Sequence, residues 1–151
     1  MNSICIISFY KFIKISNLNS LKLKIEKICK KFETKGTILL APEGINGTIE
    51  GSDINIKKFL KELKIDKKFS DLEPKYSYST KDSFNRMKVR LKKEIVTIGS
   101  TTVNPNKYIG SYIEPSEWNE FISDPNTILI DTRNEYEVSI GTFKGAINPK
   151  T

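Results

Sequence analysis

With 151 residues the chain has room for one ordinary domain, or for one small domain and part of another. Hydrophobic residues make up 38% of it, enough for a core, and no apolar run approaches the roughly 20 residues of a membrane span. Two cysteines and no histidine exclude a zinc site, a Ser-His-Asp triad and a Cys-His pair within these residues, so no metal is expected. The net charge of +7 is unevenly placed: residues 1–100 hold 21 Lys and Arg against 11 Asp and Glu (+10), and residues 101–151 hold 4 against 7 (−3). A basic front suits nucleic acid, since phosphate neutralisation supplies most non-specific affinity; a lysine-rich composition from an AT-rich genome gives the same count.

Residues 3–13, SICIISFYKFI, are β-branched and aromatic throughout and predict a strand buried on both faces. No basic stretch precedes them and no small-residue cleavage site follows, so a strand is expected rather than a signal peptide, and a cytoplasmic location with it. Asn17 is placed to cap a helix over Leu18–Phe32, whose Leu18, Leu21, Ile25, Ile28 and Phe32 share one face. Cys5 and Cys29 are expected as buried, reduced thiols. Gly36 is read as ending this region, Thr37–Ala41 as a second strand, Pro42-Glu43-Gly44 as a turn and Ile45–Glu50 as a third strand pairing back in a hairpin. After Gly51 and Ser52, the spacing of Ile56, Phe59, Leu60 and Leu63 predicts a helix over Asp53–Leu63. A polar stretch and the aromatic-rich segment EPKYSYST follow, and Met87–Ile98 supplies the last strand. Strand, helix, strand, strand, helix, strand is the order of a split βαβ, or ferredoxin-like, domain over residues 1–100, giving an α+β fold class.

Residues 101–115 read as a linker, and Pro115 opens a short helix, SEWNEFI. Asp124-Pro125-Asn126 marks a turn, Thr127–Asp131 a short strand, and Glu135 and Tyr136 the start of a further helix with Tyr136 in a core. Gly141–Pro149 reads as loop and strand, with Gly145 a backbone requirement rather than a catalytic residue. Residues 116–151 are too few to close an α/β core alone, so the start of an incomplete domain is expected.

Three stretches taken together resemble one family: GTILLAPEGINGTIEG (36–51), RMKVRLKKEIVTIG (86–99), and EPSEWNEFI through ILIDTRNEYEVSIGTFKGAINP (114–149). They resemble, in that order, the bacterial tRNA uridine hydroxylases that act on the wobble uridine. That resemblance implies a ferredoxin-like domain followed by a rhodanese domain, tRNA as partner, and oxygen-dependent formation of 5-hydroxyuridine with molecular oxygen as co-substrate. It also implies a persulfide-forming cysteine at a helix start in the rhodanese domain, at a position beyond Thr151, so the chain as given is expected to be inactive alone. Cys5 and Cys29 do not match that position.

Asp131 and Arg133 match the Asp-x-Arg signature at the end of the first rhodanese strand; they either shape the base of an active site or form an ion pair organising loops, and the second reading is favoured. In EGINGT (43–48), Gly44 and Gly47 either let backbone amides approach a phosphate or base, or serve a hairpin turn, and Asn46 either meets a base edge or steadies that turn. Arg86, Lys88, Arg90 and Lys92 alternate with Met87, Val89 and Leu91, so a strand puts the cations on one face, beside Tyr76, Tyr78 and Phe84, as an RNA-binding ridge or a merely solvated surface. No P-loop, dinucleotide fingerprint or carboxylate pair is present. Two other functions fit parts of the pattern. A non-catalytic RNA-binding module needs only the front domain, and a generic sulfurtransferase would not need it. An acylphosphatase shares the outline, but the segment Phe9–Ser16, read as the first loop, lacks the arginine of its phosphate cradle.

Overall fold

The computed structural model describes residues 3–95 and 110–150, and these fall into two compact units, one in each span. The first unit is a five-stranded sheet with two helices. Its strands are β1 (Ile4–Phe12), β2 (Lys35–Ala41), β3 (Gly44–Ser52), β4 (Lys75–Ser79) and β5 (Met87–Leu91), in the spatial order β4-β1-β3-β2-β5. The first four pair antiparallel, as a split βαβ requires, and β5 adds to the free edge of β2 in parallel.

The helices α1 (Leu18–Lys31) and α2 (Asp53–Leu63) form where the apolar spacing places them. Asn17 accepts the Ser20 N–H at 3.1 Å and Ser52 accepts the Asn55 N–H at 3.2 Å, so a side chain satisfies one orphan donor at each helix start. Leu21, Ile25 and Ile28 of α1 and Ile56, Phe59 and Leu63 of α2 join Cys5, Ile7, Phe9, Ile38, Leu40, Ile45 and Ile49 of the sheet in one buried cluster. Gly47 has no side chain because Phe9 occupies the space: a Cβ there would lie 2.8 Å from the ring.

Several expectations need correction. EPKYSYST contains β4, the edge strand that completes the split βαβ, because it can hydrogen-bond along β1 although four of its five side chains are exposed. The strand beginning at Met87 is therefore the fifth and lies on the opposite edge; its strand pairing ends at Leu91, and residues 96–98 lie outside the described residues. Gly36 does not end the helical region but lies inside β2, its N–H donating to the Arg86 carbonyl. Residues 44–52 are all strand, so EGINGT is no loop; Pro42 and Glu43 alone make the turn. The start of Phe9–Ser16 is likewise strand, since β1 runs to Phe12.

The second unit holds α3 (Trp118–Ser123) and α4 (Glu135–Ile140). Thr127–Asp131 contributes one parallel bridge, Ile130 with Ile147, rather than a strand, because among the described residues only the 147 segment pairs with it. Trp118 stacks obliquely on Phe143 at 5.2 Å, yet no described apolar residue of this unit is buried, and Tyr136, expected in a core, is 67% exposed. Residues 101–109 of the expected linker lie outside the described residues.

Candidate nucleic-acid interface

Alternation along each strand divides the sheet into two faces. Cys5, Ile7 and Phe9 of β1, Ile38 and Leu40 of β2 and Val89 of β5 point to the helices, and among the described residues no helix covers the other face. Register then fixes what lies side by side there. One row crosses all five strands as Lys75, Ser8, Thr48, Thr37 and Lys88, with a cation at each edge and three hydroxyls between; the Ser8 and Thr48 hydroxyls are 3.0 Å apart. The next row is Tyr10, Asn46, Leu39 and Arg90.

The strand pleat thus places Lys88 and Arg90 on the uncovered face, two of the four cations expected there. Arg86 and Lys92 flank the strand, in a bend and a coil. Among the described residues Lys75, Lys88 and Arg90 have no carboxylate within 4 Å; some other lysines of the unit are paired, as Lys35 with Asp82 and Lys31 with Glu62, and others, such as Lys27 and Lys61 on the helices, are not. Unpaired cations cost little in water and are available to phosphate.

Two glutamates fix β5 at both ends. The buried Glu50 carboxylate accepts the Ser83 and Phe84 N–H groups at 2.8 and 3.0 Å, and Glu43 accepts the Ile95 N–H at 2.7 Å. Charge-assisted bonds of this kind position the cationic strand. Glu50 lies on the same face, two residues along β3 from Thr48, and its oxygens are already engaged.

The remaining candidates divide. Asn46 lies on the uncovered face, directly opposite Tyr10. Gly44 and Gly47 are buried, and packing alone accounts for the lack of a side chain at each: a Cβ at Gly44 would lie 2.1 Å from the Lys11 carbonyl oxygen and one at Gly47 2.8 Å from the Phe9 ring. Tyr76 and Tyr78 are not beside the cations. They pair with Ile7 and Cys5, hence face the helix side, and β4 is four strand spacings, about 19 Å, from β5. Tyr10, 55% exposed, was hidden by reading β1 as buried on both faces; the alternation of Ser8 and Tyr10 with Ile7 and Phe9 was the available signal.

Neither cysteine is a nucleophile in this setting. Burial raises both thiols, and pushes Cys29 up to about 11.

In the second unit Asp131 accepts the Arg133 backbone N–H at 3.1 Å, Nε at 3.0 Å and Nη2 at 2.7 Å, and the Thr142 hydroxyl at 2.7 Å. Arg133 also donates to the Gly141 carbonyl at 2.7 Å. Those bonds hold the Asp131 carboxyl well below the usual carboxylate range, and a carboxylate so fully engaged makes a poor proton acceptor. The pair ties residues 131, 133, 141 and 142 into one turn. Among the described residues no cluster of metal-ligating side chains occurs, and no helix is long and apolar enough to cross a membrane.

Comparison with known proteins meets this geometry. The chain is 51% identical over 95% of its length to a tRNA uridine(34) hydroxylase of Rhizobium leguminosarum bv. trifolii, and 48% identical over all of it to one of Acaryochloris marina. It spans about half the length of these relatives, 47% and 49%. Among solved structures it is similar to BlrB, a BLUF protein in its dark state, with a TM-score of 0.52 at 13% identity over 62% of this chain and 76% of that one, a likeness of fold alone. Residues 4–95 match the UPF0176 acylphosphatase like domain, and by that match, which spans more than half of the chain, the protein belongs to this family and is a relative of the tRNA uridine(34) hydroxylases.

Proposed function

We propose that the chain is the tRNA-binding front and the beginning of the rhodanese domain of an enzyme that hydroxylates the wobble uridine of tRNA at C5, with molecular oxygen as co-substrate. The observation that carries this reading is the sheet face that no described helix covers, bearing Lys75, Lys88 and Arg90 without ion-pair partners among the described residues, in a chain whose relatives bear the name tRNA uridine(34) hydroxylase. In this account Lys88 and Arg90 take backbone phosphates, and Glu50 and Glu43 keep their strand in register. Arg86 and Lys92 extend the cationic strand at its two ends. Residues 1–100 act as the binding domain, 101–115 as linker and 116–151 as the rhodanese portion, in which Asp131 and Arg133 support the base of the active site. No residue of the 151 supplies the persulfide chemistry, because Cys5 and Cys29 are buried in the first unit. The chain by itself therefore binds tRNA without turning it over, in the cytoplasm.

Incubation of the chain with unmodified tRNA and oxygen, followed by nucleoside mass spectrometry, tests the second half of this reading. No 5-hydroxyuridine is expected; its formation would show that these residues suffice. The first half is tested by tRNA affinity against salt, where a steep fall is expected and a flat profile would contradict phosphate binding.

A further inference from the structure

Beyond phosphate contact, and resting on the RNA-binding reading above, the row Tyr10–Asn46–Leu39–Arg90 has the composition of a base platform. We infer that it stacks one unpaired base of single-stranded RNA on Tyr10, with Asn46 at the base edge, while the neighbouring row of Lys88, Thr37, Thr48, Ser8 and Lys75 follows the sugar-phosphate backbone.

Tyr10 sits on β1 two residues past the end of its pairing with β4, so it ends the row opposite Arg90, and it is 55% exposed on a face that no described helix covers. Phe12 meets its ring edge-on, with centroids 6.3 Å apart and planes at 72°, which limits the ring's freedom before any base arrives. Asn46, its direct cross-strand partner, carries both a donor and an acceptor, the combination that reads base edges. Leu39 is half-buried and gives an apolar floor between Asn46 and Arg90. The backbone row lies two residues along the strands, about 6.7 Å away.

Charge decides the class of occupant. Lysines stand at both edges of the backbone row and Arg90 ends the platform row, all without ion-pair partners among the described residues, and the nearby carboxylate of Glu50 is occupied by the 83–84 backbone. Such a surface complements an anionic chain. A flat sheet cannot enter the deep, narrow major groove of an RNA duplex, so stacking selects unpaired nucleotides.

The test uses the 151-residue chain with an oligouridylate of about ten nucleotides, within the ~4–16 nucleotide range of comparable single-strand sites. Tyr10→Ala is expected to weaken binding about ten- to hundred-fold with an unchanged salt slope, and Tyr10→Phe to bind near wild type, because the ring is what stacks. Asn46→Ala should weaken binding several-fold, which gives an independent readout if Tyr10→Ala fails to fold by circular dichroism. Wild-type affinity for both Tyr10→Ala and Asn46→Ala, with Lys88→Ala weakened, would overturn the platform and leave RNA binding standing. If the wild-type chain binds neither oligouridylate nor tRNA, RNA binding itself fails, and a protein partner becomes the occupant of this face.

Discussion

Phe59, Phe69, Ile25 and Ile49 of the first unit are wholly removed from water, whereas in residues 110–150 no described apolar residue is buried and Ile128, Tyr136, Ile140 and Phe143 stand more than half exposed. The first unit folds its helices onto one face of the sheet and leaves a polar, cationic face outward. The second is held by capping contacts, one parallel bridge and the Asp131–Arg133 pair, and it exposes several large apolar side chains. An uncovered surface therefore means different things in the two. In the first it presents cations without ion-pair partners among the described residues; in the second it includes exposed apolar side chains with no buried apolar residue beneath them, the mark of low local stability.

Core truncation separates the units most strongly. Phe59→Ala should cost about 3–5 kcal/mol of the first unit's stability in urea denaturation, whereas Tyr136→Ala in the second should stay within about 0.5 kcal/mol. Equal losses would erase the distinction. Glu50→Ala comes next: it leaves two backbone N–H groups without their acceptor, costs about 1–3 kcal/mol, and should speed amide exchange at Ser83 and Phe84. If exchange there is unchanged, Glu50 does not fix β5.

The Asp131–Arg133 pair gives a pH test of the second unit. Its lowered carboxyl pKa means that the pair's contribution is complete above the unfolded value of about 3.9 and is lost as pH falls below it through the folded value. Amide exchange at Ile147 should therefore be faster in Asp131→Asn than in wild type at neutral pH, and the two should converge in strong acid. A difference that persists there would assign the effect to something other than the ion pair. Cys29 sharpens the contrast at the level of a single group. With its thiol pushed up to about 11 in a closed core, it should resist alkylation at neutral pH in the native chain, and rapid labelling would mean that the first unit opens.

Much of the first unit was legible because burial writes a pattern. Leu21, Ile25 and Ile28, and Ile56, Phe59 and Leu63, recur at helical spacing because one face of each helix packs on the sheet. β4 left no such trace: Lys75, Tyr76, Ser77 and Tyr78 are all exposed, and backbone pairing with β1 alone makes them a strand. The cations of β5 showed in their alternation, but their neighbours did not. Tyr10, Asn46 and Arg90 are far apart in sequence and meet only through the register of four strands, which turn geometry and core packing set jointly. For the same reason Tyr76 and Tyr78, close to Arg86 in sequence, sit at the opposite edge of the sheet. In the second unit the Asp-x-Arg signature is visible as letters, while the bonds from Arg133 to Gly141 and from Thr142 to Asp131 depend on a turn that letters do not specify.

The central claim is that tRNA meets the uncovered sheet face and not the lysine-rich helices. Acetylation footprinting of the chain with and without tRNA, read lysine by lysine by mass spectrometry, tests it most directly. Protection at Lys88 and Lys75, with Lys24 and Lys27 of α1 and Lys57 and Lys61 of α2 labelled as in the free chain, is the predicted result. Protection confined to the helix lysines, with Lys88 labelled freely, would contradict it.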